Sequence, residues 1–213
     1  MDYHIRCKNR VYQGFFGMDE YTVEHDRFDG GRMQVRRENM ERGDAAAMLL
    51  YDPAVDEVLL LEQFRIGPVA RHDNPWLTEI VAGMIDAGET AEQAIIREAQ
   101  EEAGFAPVGV RFLGRYYTTP GACSERIDLF LGMVDKNSQV SAGGGCAAEH
   151  EDIRTFWVSR QDAMQMLEDG KIASGAPMLA LLLAFGCKGK LNQATEPIHT
   201  APCSEQNSRI TAA

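Results

Sequence analysis

Apolar positions change their period several times along this chain, and each change marks an element. Between residues 10 and 37, Val11-Tyr12, Phe15-Phe16, Tyr21-Thr22-Val23 and Met33-Gln34-Val35 are separated by turn residues such as Asp29-Gly30-Gly31. That alternation predicts a small antiparallel N-terminal sheet. Ala45 to Tyr51 and Glu57 to Gln63 read as two strands of a hairpin joined around Asp52-Pro53, a pair suited to a turn. A further strand is expected from Trp76 to Val81, feeding directly into Gly83, and Gly109 to Thr118, Ile127 to Val134 and Thr155 to Ser159 are also strand-like.

Helical periods interrupt the strands. Thr90 and Gln93 stand at capping-box separation, Glu92 follows in the first turn, and Gly104 supplies a left-handed stop, so a helix is predicted from Thr90 to Gly104. Ser159 to Asp169 reads as a second helix, with Ala163, Met164 and Leu167 apolar. Ala176 to Phe185 is apolar nearly all round, which predicts a buried helix. Ser141 to Ala148 holds three consecutive glycines and reads as a flexible loop. From Lys188 onward the chain is polar and aperiodic, with Pro197 and Pro202, and disorder is expected there. Strands and helices in this mixed order predict an α+β or α/β sandwich. The expected division is an N-terminal sheet region (1–43), a main domain (44–187) and a tail (188–213).

A chain of 213 residues is long enough for one substantial core. Its net charge of −11 argues against nucleic acid as partner, since phosphate neutralisation needs basic surface. Any anionic ligand must be drawn in locally. The five cysteines (Cys7, Cys123, Cys146, Cys187, Cys203) are odd in number and lack metal-knuckle or redox spacing, so they read as free thiols in a reducing compartment. The N-terminus has no apolar signal core, and the apolar stretch Pro177 to Phe185 is too short to span a bilayer. A cytoplasmic protein without membrane contact is expected.

The most informative stretch is residues 83 to 105. Its skeleton is Gly83, five residues, Glu89, seven residues, Arg97-Glu98, then Glu101-Glu102 and Gly104. Glu98 and Glu102 are i,i+4 neighbours, with Glu101 roughly 60° to their side and Ala91, Ala94 and Ile95 within the same arc. The carboxylates are therefore expected on a partly buried face. Like charges at that spacing cost a few tenths of a kcal/mol on an open helix, and more when desolvated. A hard divalent cation reverses the cost, and oxygen-only ligands suit Mg²⁺ or Mn²⁺. Most Glu-rich helices are simply solvated faces, but seven fixed positions at roughly 7% each match by chance in about one window in 10⁸.

This pattern resembles the Nudix box, Gly-x5-Glu-x7-Arg-Glu-U-x-Glu-Glu-x-Gly-U, at every fixed position; the aliphatic sites hold Ala99 and Phe105. The resemblance implies the Nudix fold, a mixed β-sheet sandwiched between helices, and metal-dependent hydrolysis of nucleoside diphosphates linked to a further group. Outside the box, Val35-Arg36-Arg37-Glu38, Glu41-Arg42-Gly43, Glu62-Gln63-Phe64-Arg65, Pro75-Trp76, Glu79, Val81-Ala82-Gly83-Met84 and Glu149 to Arg154 are similar to segments of the bacterial ADP-ribose pyrophosphatase branch. Pro120 lies 16 residues beyond Gly104, an offset that marks the same branch; Pro120-Gly121 alone is also a plain turn signal.

The resemblance implies roles residue by residue. The Ala82 carbonyl, Glu98, Glu102 and Glu151 would hold metal, with Glu101 sharing an ion or a ligating water. Glu149 would be the catalytic base, swinging in on its loop; its bland alternative is an exposed loop carboxylate. Arg37, Arg42 and Arg65 could supply forked donors to a diphosphate, though surface ion pairing is the ordinary fate of an arginine. Glu38 and Pro120 would join the substrate contacts, Glu125 would hydrogen-bond the terminal ribose, Thr119 and Gly121 would line the same pocket, and Met84, also a substrate contact, follows the metal-binding carbonyl. Gly14 and Phe15 would meet the adenosine of a substrate, with a core role for Phe15 also open. Glu89 and Arg97 would brace Gly83, the loop and the helix. The implied reaction is water attack on ADP-ribose, giving AMP and ribose 5-phosphate, by a homodimer whose N-terminal strands cross between subunits. Rival readings are a hydrolase of GDP-mannose or ADP-glucose, and a non-hydrolytic ADP-ribose sensor; the intact Glu98, Glu101 and Glu102 weigh against the sensor.

Overall fold

A computed structural model describes residues 1–146, 148 and 150–186. The N-terminal sheet extends further than its apolar clusters: β1 (Tyr3–Gln13), β2 (Gly17–Asp26) and β3 (Arg32–Glu41) pair antiparallel in that order. Charged contacts span the pairing. Asp19 on β2 is buried and holds both Lys8 (3.0 Å) and Arg10 from β1. All eleven residues of β1 are exposed. The sheet joins the body at Met40, whose N–H donates to the Ala122 carbonyl (2.8 Å) and whose carbonyl accepts from the Ser124 N–H (3.2 Å).

The main sheet has seven strands. β10 (Ile153–Ser159), β5 (Glu57–Phe64), β4 (Ala45–Asp52), β9 (Arg126–Met133) and β8 (Gly109–Tyr117) run across it in that order, with β4 parallel to β9. The expected strand from Trp76 to Val81 is two short strands, β6 (Trp76–Glu79) and β7 (Val81–Met84). β5 stays with β4 only over Glu57 to Leu59; beyond that β6 pairs β5 and β7 pairs β4. The chain breaks at Ile80 because its two halves serve different strands across a split in the sheet. A cavity opens at that split, with Glu79, Ile80 and Ala82 in its lining. A four-residue helix, α1 (Ile66–Val69), precedes it and left no periodic signal.

Central β4 is apolar from Ala45 to Leu50 and buried throughout that run, as a strand covered on both faces must be. Ala46, Met48 and Leu50 pack with Ile95, Ala99 and Phe105 from the side of helix α2 (Ala91–Glu98). Ala47 and Leu49 face Ala163, Ala180 and Leu181 from α3 (Arg160–Glu168) and α4 (Gly175–Leu181). The result is the expected mixed sheet between helices. Each of these leucines contributes about 2–3 kcal/mol by leaving water. The helix expected to be wholly buried is not: α4 and its π-helical continuation, Leu182–Gly186, leave Leu182 and Leu183 nearly half exposed, since only one side meets the sheet. The Lys188–Ala213 tail lies outside the described residues.

Candidate active site

Helix α2 starts where the sequence places it. Thr90 accepts from the Gln93 N–H (3.2 Å) and Gln93 reaches back to the Thr90 N–H (2.9 Å), closing a capping box. After Glu98 the winding widens into a π-helical turn, Ala99–Ala103, and stops at Gly104 with φ 77°. A π turn shifts side chains away from strict i,i+4 register. Glu102 points inward and is 2% exposed, whereas the Glu101 side chain is 44% exposed and paired with Arg97.

Arg97 is the hub of the loop and helix. It contacts Glu89 (3.2 Å), Glu98 (2.8 Å) and Glu101 (3.1 Å), and donates weakly to the Met84 carbonyl (3.4 Å). The guanidinium holds Glu89 below the ordinary carboxylate range. Gly83 leaves room for the Glu98 carboxyl: a Cβ there would overlap it and push it aside. Across the split, the Glu102 Oε2 accepts the Ala82 N–H at 2.9 Å.

Electrostatically the cluster is unfinished. Burial pushes the Glu102 carboxyl up to about 8, with Glu98 and Glu151 adding repulsion and the Ala82 N–H opposing. Glu98 is also raised, again mainly by burial, despite its bond to Arg97. Glu151 is tied through its own loop, accepting from the Cys146 N–H at 2.9 Å. Among the described residues, no three acidic, His or Cys side chains are already gathered to ion-holding distance. Each carboxylate is instead held by a separate hydrogen bond.

A cavity of about 770 Å³ opens in front of these groups. Ala82, Gly83, Met84, Glu98 and Glu151 line it together with Arg42, Arg65, Glu79 and Glu125. Arg65 spends Nε and Nη2 on a single oxygen of Glu79 (2.9 and 2.7 Å), leaving Nη1 without a protein partner among the described residues. Arg42 sits 3.1 Å from the buried Glu125 and over the Phe16 ring at 5.0 Å. Tyr116 is pushed up to about 12 by burial first, then by Glu125 and Glu79.

The fold does not gather every residue singled out in the sequence. Phe15 reaches the cavity rim yet is 88% exposed, so it is not a core residue here. Gly14 is not among the lining residues, and Arg37 and Glu38 lie on β3 away from the cavity, the Arg37 side chain donating to the Arg36 carbonyl. Thr119, Pro120 and Gly121 form an exposed turn outside the cavity lining. Glu149 lies outside the described residues. Conversely, Ser174, Ala176 and Pro177 at the start of α4, and Asp86, line the cavity without any prior sign. A serine before a helix is legible only as a cap, yet Ser174 makes no side-chain capping bond.

Comparisons with known proteins agree with this architecture. A family profile for the NUDIX domain matches residues 41–182. The chain is 43% identical over 181 residues to the ADP-ribose pyrophosphatase of Escherichia coli K12, covering 84% of this chain and 86% of that one. It is 38% identical over 184 residues to the ADP-ribose pyrophosphatase of Haemophilus influenzae, covering 84% of each. The GDP-mannose pyrophosphatase of Pectobacterium atrosepticum is 34% identical over 175 residues, 82% of this chain and 89% of that one. Among solved structures, a crystal structure of an ADP compounds hydrolase superposes with a TM-score of 0.66 at 20% identity, covering 86% of this chain and 92% of that one; this is a likeness of fold.

Proposed function

The chain belongs to the Nudix hydrolase family, and from that premise we propose that it hydrolyses the diphosphate of ADP-ribose to AMP and ribose 5-phosphate. One observation carries the reading: a single cavity is lined by the Glu98 and Glu151 carboxylates and by the guanidinium groups of Arg42 and Arg65, with the buried Glu102 behind them close enough to feel Glu98, Glu151 and Arg65. Carboxylates that repel one another suit a divalent cation, and the guanidinium groups suit a diphosphate. The 43% identity to an ADP-ribose pyrophosphatase supports the substrate. The 34% relative makes GDP-mannose the second reading.

The residues fit a metal by donor chemistry, all oxygen with a buried and electrostatically unsatisfied member. Glu98, Glu102, Glu151 and the Ala82 carbonyl would hold it, with Glu101 at the exposed edge. Mg²⁺, or Mn²⁺ in its place, would neutralise phosphate oxygens and acidify water. Arg65 would present its free edge to the diphosphate, aimed by Glu79. Arg42 would be released from Glu125 when phosphate arrives. Glu149, in the register set by Glu151, would accept the proton of the attacking water.

We read the protein as a homodimer. The fully exposed β1, with Tyr3, Ile5, Val11 and Tyr12 between 46% and 68% exposed, supports a covered face. A partner's sheet would also bring Arg37, Glu38 and Gly14 to a site they do not reach within one chain. No described helix is long and apolar enough to cross a membrane. The free Cys7, Cys123 and Cys146 support a cytoplasmic setting.

The test is a panel of ADP-ribose, ADP-glucose and GDP-mannose with Mg²⁺ and a coupled phosphatase. ADP-ribose is expected to lead by at least about tenfold, or 1.4 kcal/mol in the transition state. Equal turnover across the panel overturns the assignment. Tight binding without cleavage would favour the sensor.

A further inference from the structure

The glycine-rich loop after β9 is not the slack tether that its composition predicts. Gly143, Gly144 and Gly145 have φ of 65°, 100° and 91°, a region that side chains seldom enter. This run brings successive N–H groups onto the end of the carboxylate helix. The Gly144 N–H donates to the Glu102 carbonyl at 2.8 Å and the Gly145 N–H to the Glu101 carbonyl at 3.1 Å. The Val140 N–H bonds the Gly104 carbonyl (2.7 Å) and the Ser141 hydroxyl bonds the Gln100 carbonyl (3.0 Å). The last carbonyls of a helix have no partner within it, so the loop acts as its cap.

Space is as restrictive as hydrogen bonding. A Cβ on Gly143 would lie 2.8 Å from both the Glu102 carbonyl oxygen and the Ala103 carbonyl carbon, backbone atoms that cannot swing aside. On the other side, a Cβ on Gly145 would stand 2.6 Å from the Cβ of Glu151. The Gly144 carbonyl accepts the Ile153 N–H at 3.2 Å, tying the same residues to the start of β10. One short backbone therefore touches the helix bearing Glu98 and Glu102 and the segment bearing Glu151.

We propose that Gly143–Gly145 is a positioning clip, which docks the segment bearing Glu151 on the backbone of Glu101 and Glu102 and so sets the separation of Glu151 from Glu102. Its importance for turnover rests on the metal-dependent reading above; its existence does not. None of the three glycines lines the cavity. The clip ties Gly144 and Gly145 to the end of the helix, so the residues that lead to Glu151 start from a fixed point.

Amide hydrogen exchange on the ion-free wild type tests the clip directly. The Gly144 and Gly145 amides are expected to exchange at least about 100-fold more slowly than those of Gly88 and Gly121, which have no backbone acceptor among the described residues. Equal exchange overturns the proposal. Mn²⁺ titration and steady-state kinetics then compare Gly143→Ala with Gly170→Ala. Gly170 has a similar φ of 72° but open space around it, so it shares the backbone strain and lacks the clash. Gly143→Ala should lose about tenfold or more in Mn²⁺ affinity and in kcat, with KM little changed, the scale seen when residues that orient metal ligands are disturbed. Gly170→Ala should keep both. Wild-type affinity and kcat in Gly143→Ala, or an equal fall in Gly170→Ala, overturns the clip. If Gly143→Ala does not fold, the exchange measurement decides alone. A wild type that binds no Mn²⁺ would overturn the metal reading while leaving the exchange result to judge the clip.

Discussion

Replacing Glu102 by Gln should make the ion-free protein more stable while removing its activity. Glu102 is 2% exposed, and its carboxyl is pushed up to about 8 from an ordinary 4.5, chiefly by burial and then by Glu98 and Glu151. Between those two values the folded protein keeps a proton that the unfolded chain has released. Stability of the ion-free protein therefore falls as pH rises through this window. At 1.36 kcal/mol per pH unit, the penalty is on the order of 1 kcal/mol near pH 5 and about 3–4 kcal/mol near pH 7.5. Gln keeps the shape and the acceptor for the Ala82 N–H but carries no charge. Calorimetry in chelator at about pH 5 and about pH 7.5 should show a stability advantage for Glu102→Gln that grows by about 2–3 kcal/mol, roughly 5–10 °C in Tm for a chain of this size. Mg²⁺ should then raise the wild-type Tm near pH 7.5 and leave the variant nearly unmoved. An advantage that does not change with pH, or a variant less stable than wild type near pH 7.5, would refute the account of Glu102 as a desolvated, repelled carboxylate.

Gly83→Ala should keep the fold, because the new Cβ meets the end of a flexible side chain, but should displace the Glu98 carboxyl; kcat is expected to fall about tenfold to a hundredfold with the circular dichroism spectrum unchanged. Arg65→Ala should raise KM by about tenfold or more, since a charge-assisted bond is worth about 1.5–3 kcal/mol, and leave Mn²⁺ affinity intact. Glu149→Gln should lose most of kcat, about 10²-fold or more, with Mn²⁺ binding unchanged in the same titration; retained turnover would move the base elsewhere in the loop. Sedimentation of the wild type should give a dimer, and of a chain lacking residues 1–43 a monomer; a monomeric wild type removes the shared-site reading.

The parts of this protein legible in its sequence are those with short-range causes. Thr90 and Gln93 mark a helix start because both partners of the capping box lie within one turn. Gly104 marks its end because a left-handed residue excludes most side chains. Ala45 to Tyr51 reads as a hairpin strand because its short apolar run stops at Asp52-Pro53; that both its faces are covered is shown by the fold. What failed depended on distant partners. Trp76 to Met84 is a continuous extended run locally, and only β4 and β5 divide it at Ile80. At α-helical spacing Glu98, Glu101 and Glu102 share one partly buried face, and the π turn separates the buried Glu102 from the exposed Glu101. Three glycines read as freedom, yet here they allow close approach to the Glu102 backbone. Ser174 to Pro177 reach the cavity through the placement of α4 against the sheet, and no local signal carries that.

The parallel pairing of β4 with β9 joins Ala45–Tyr51 to Ile127–Met133, enclosing the whole carboxylate loop and helix in the intervening chain. Long closures must be completed before their contacts reward them, so such pairings form slowly. Glu102 and Ala82 both lie inside that closed segment, while Glu151 arrives only with β10, still further along. The cavity is thus expected to form late in the folding reaction. Changes to its carboxylates should move the unfolding rate and leave the refolding rate nearly constant. On that expectation the site could be altered without slowing the route by which the protein reaches its native state; a refolding rate that falls in Glu102→Gln would refute it.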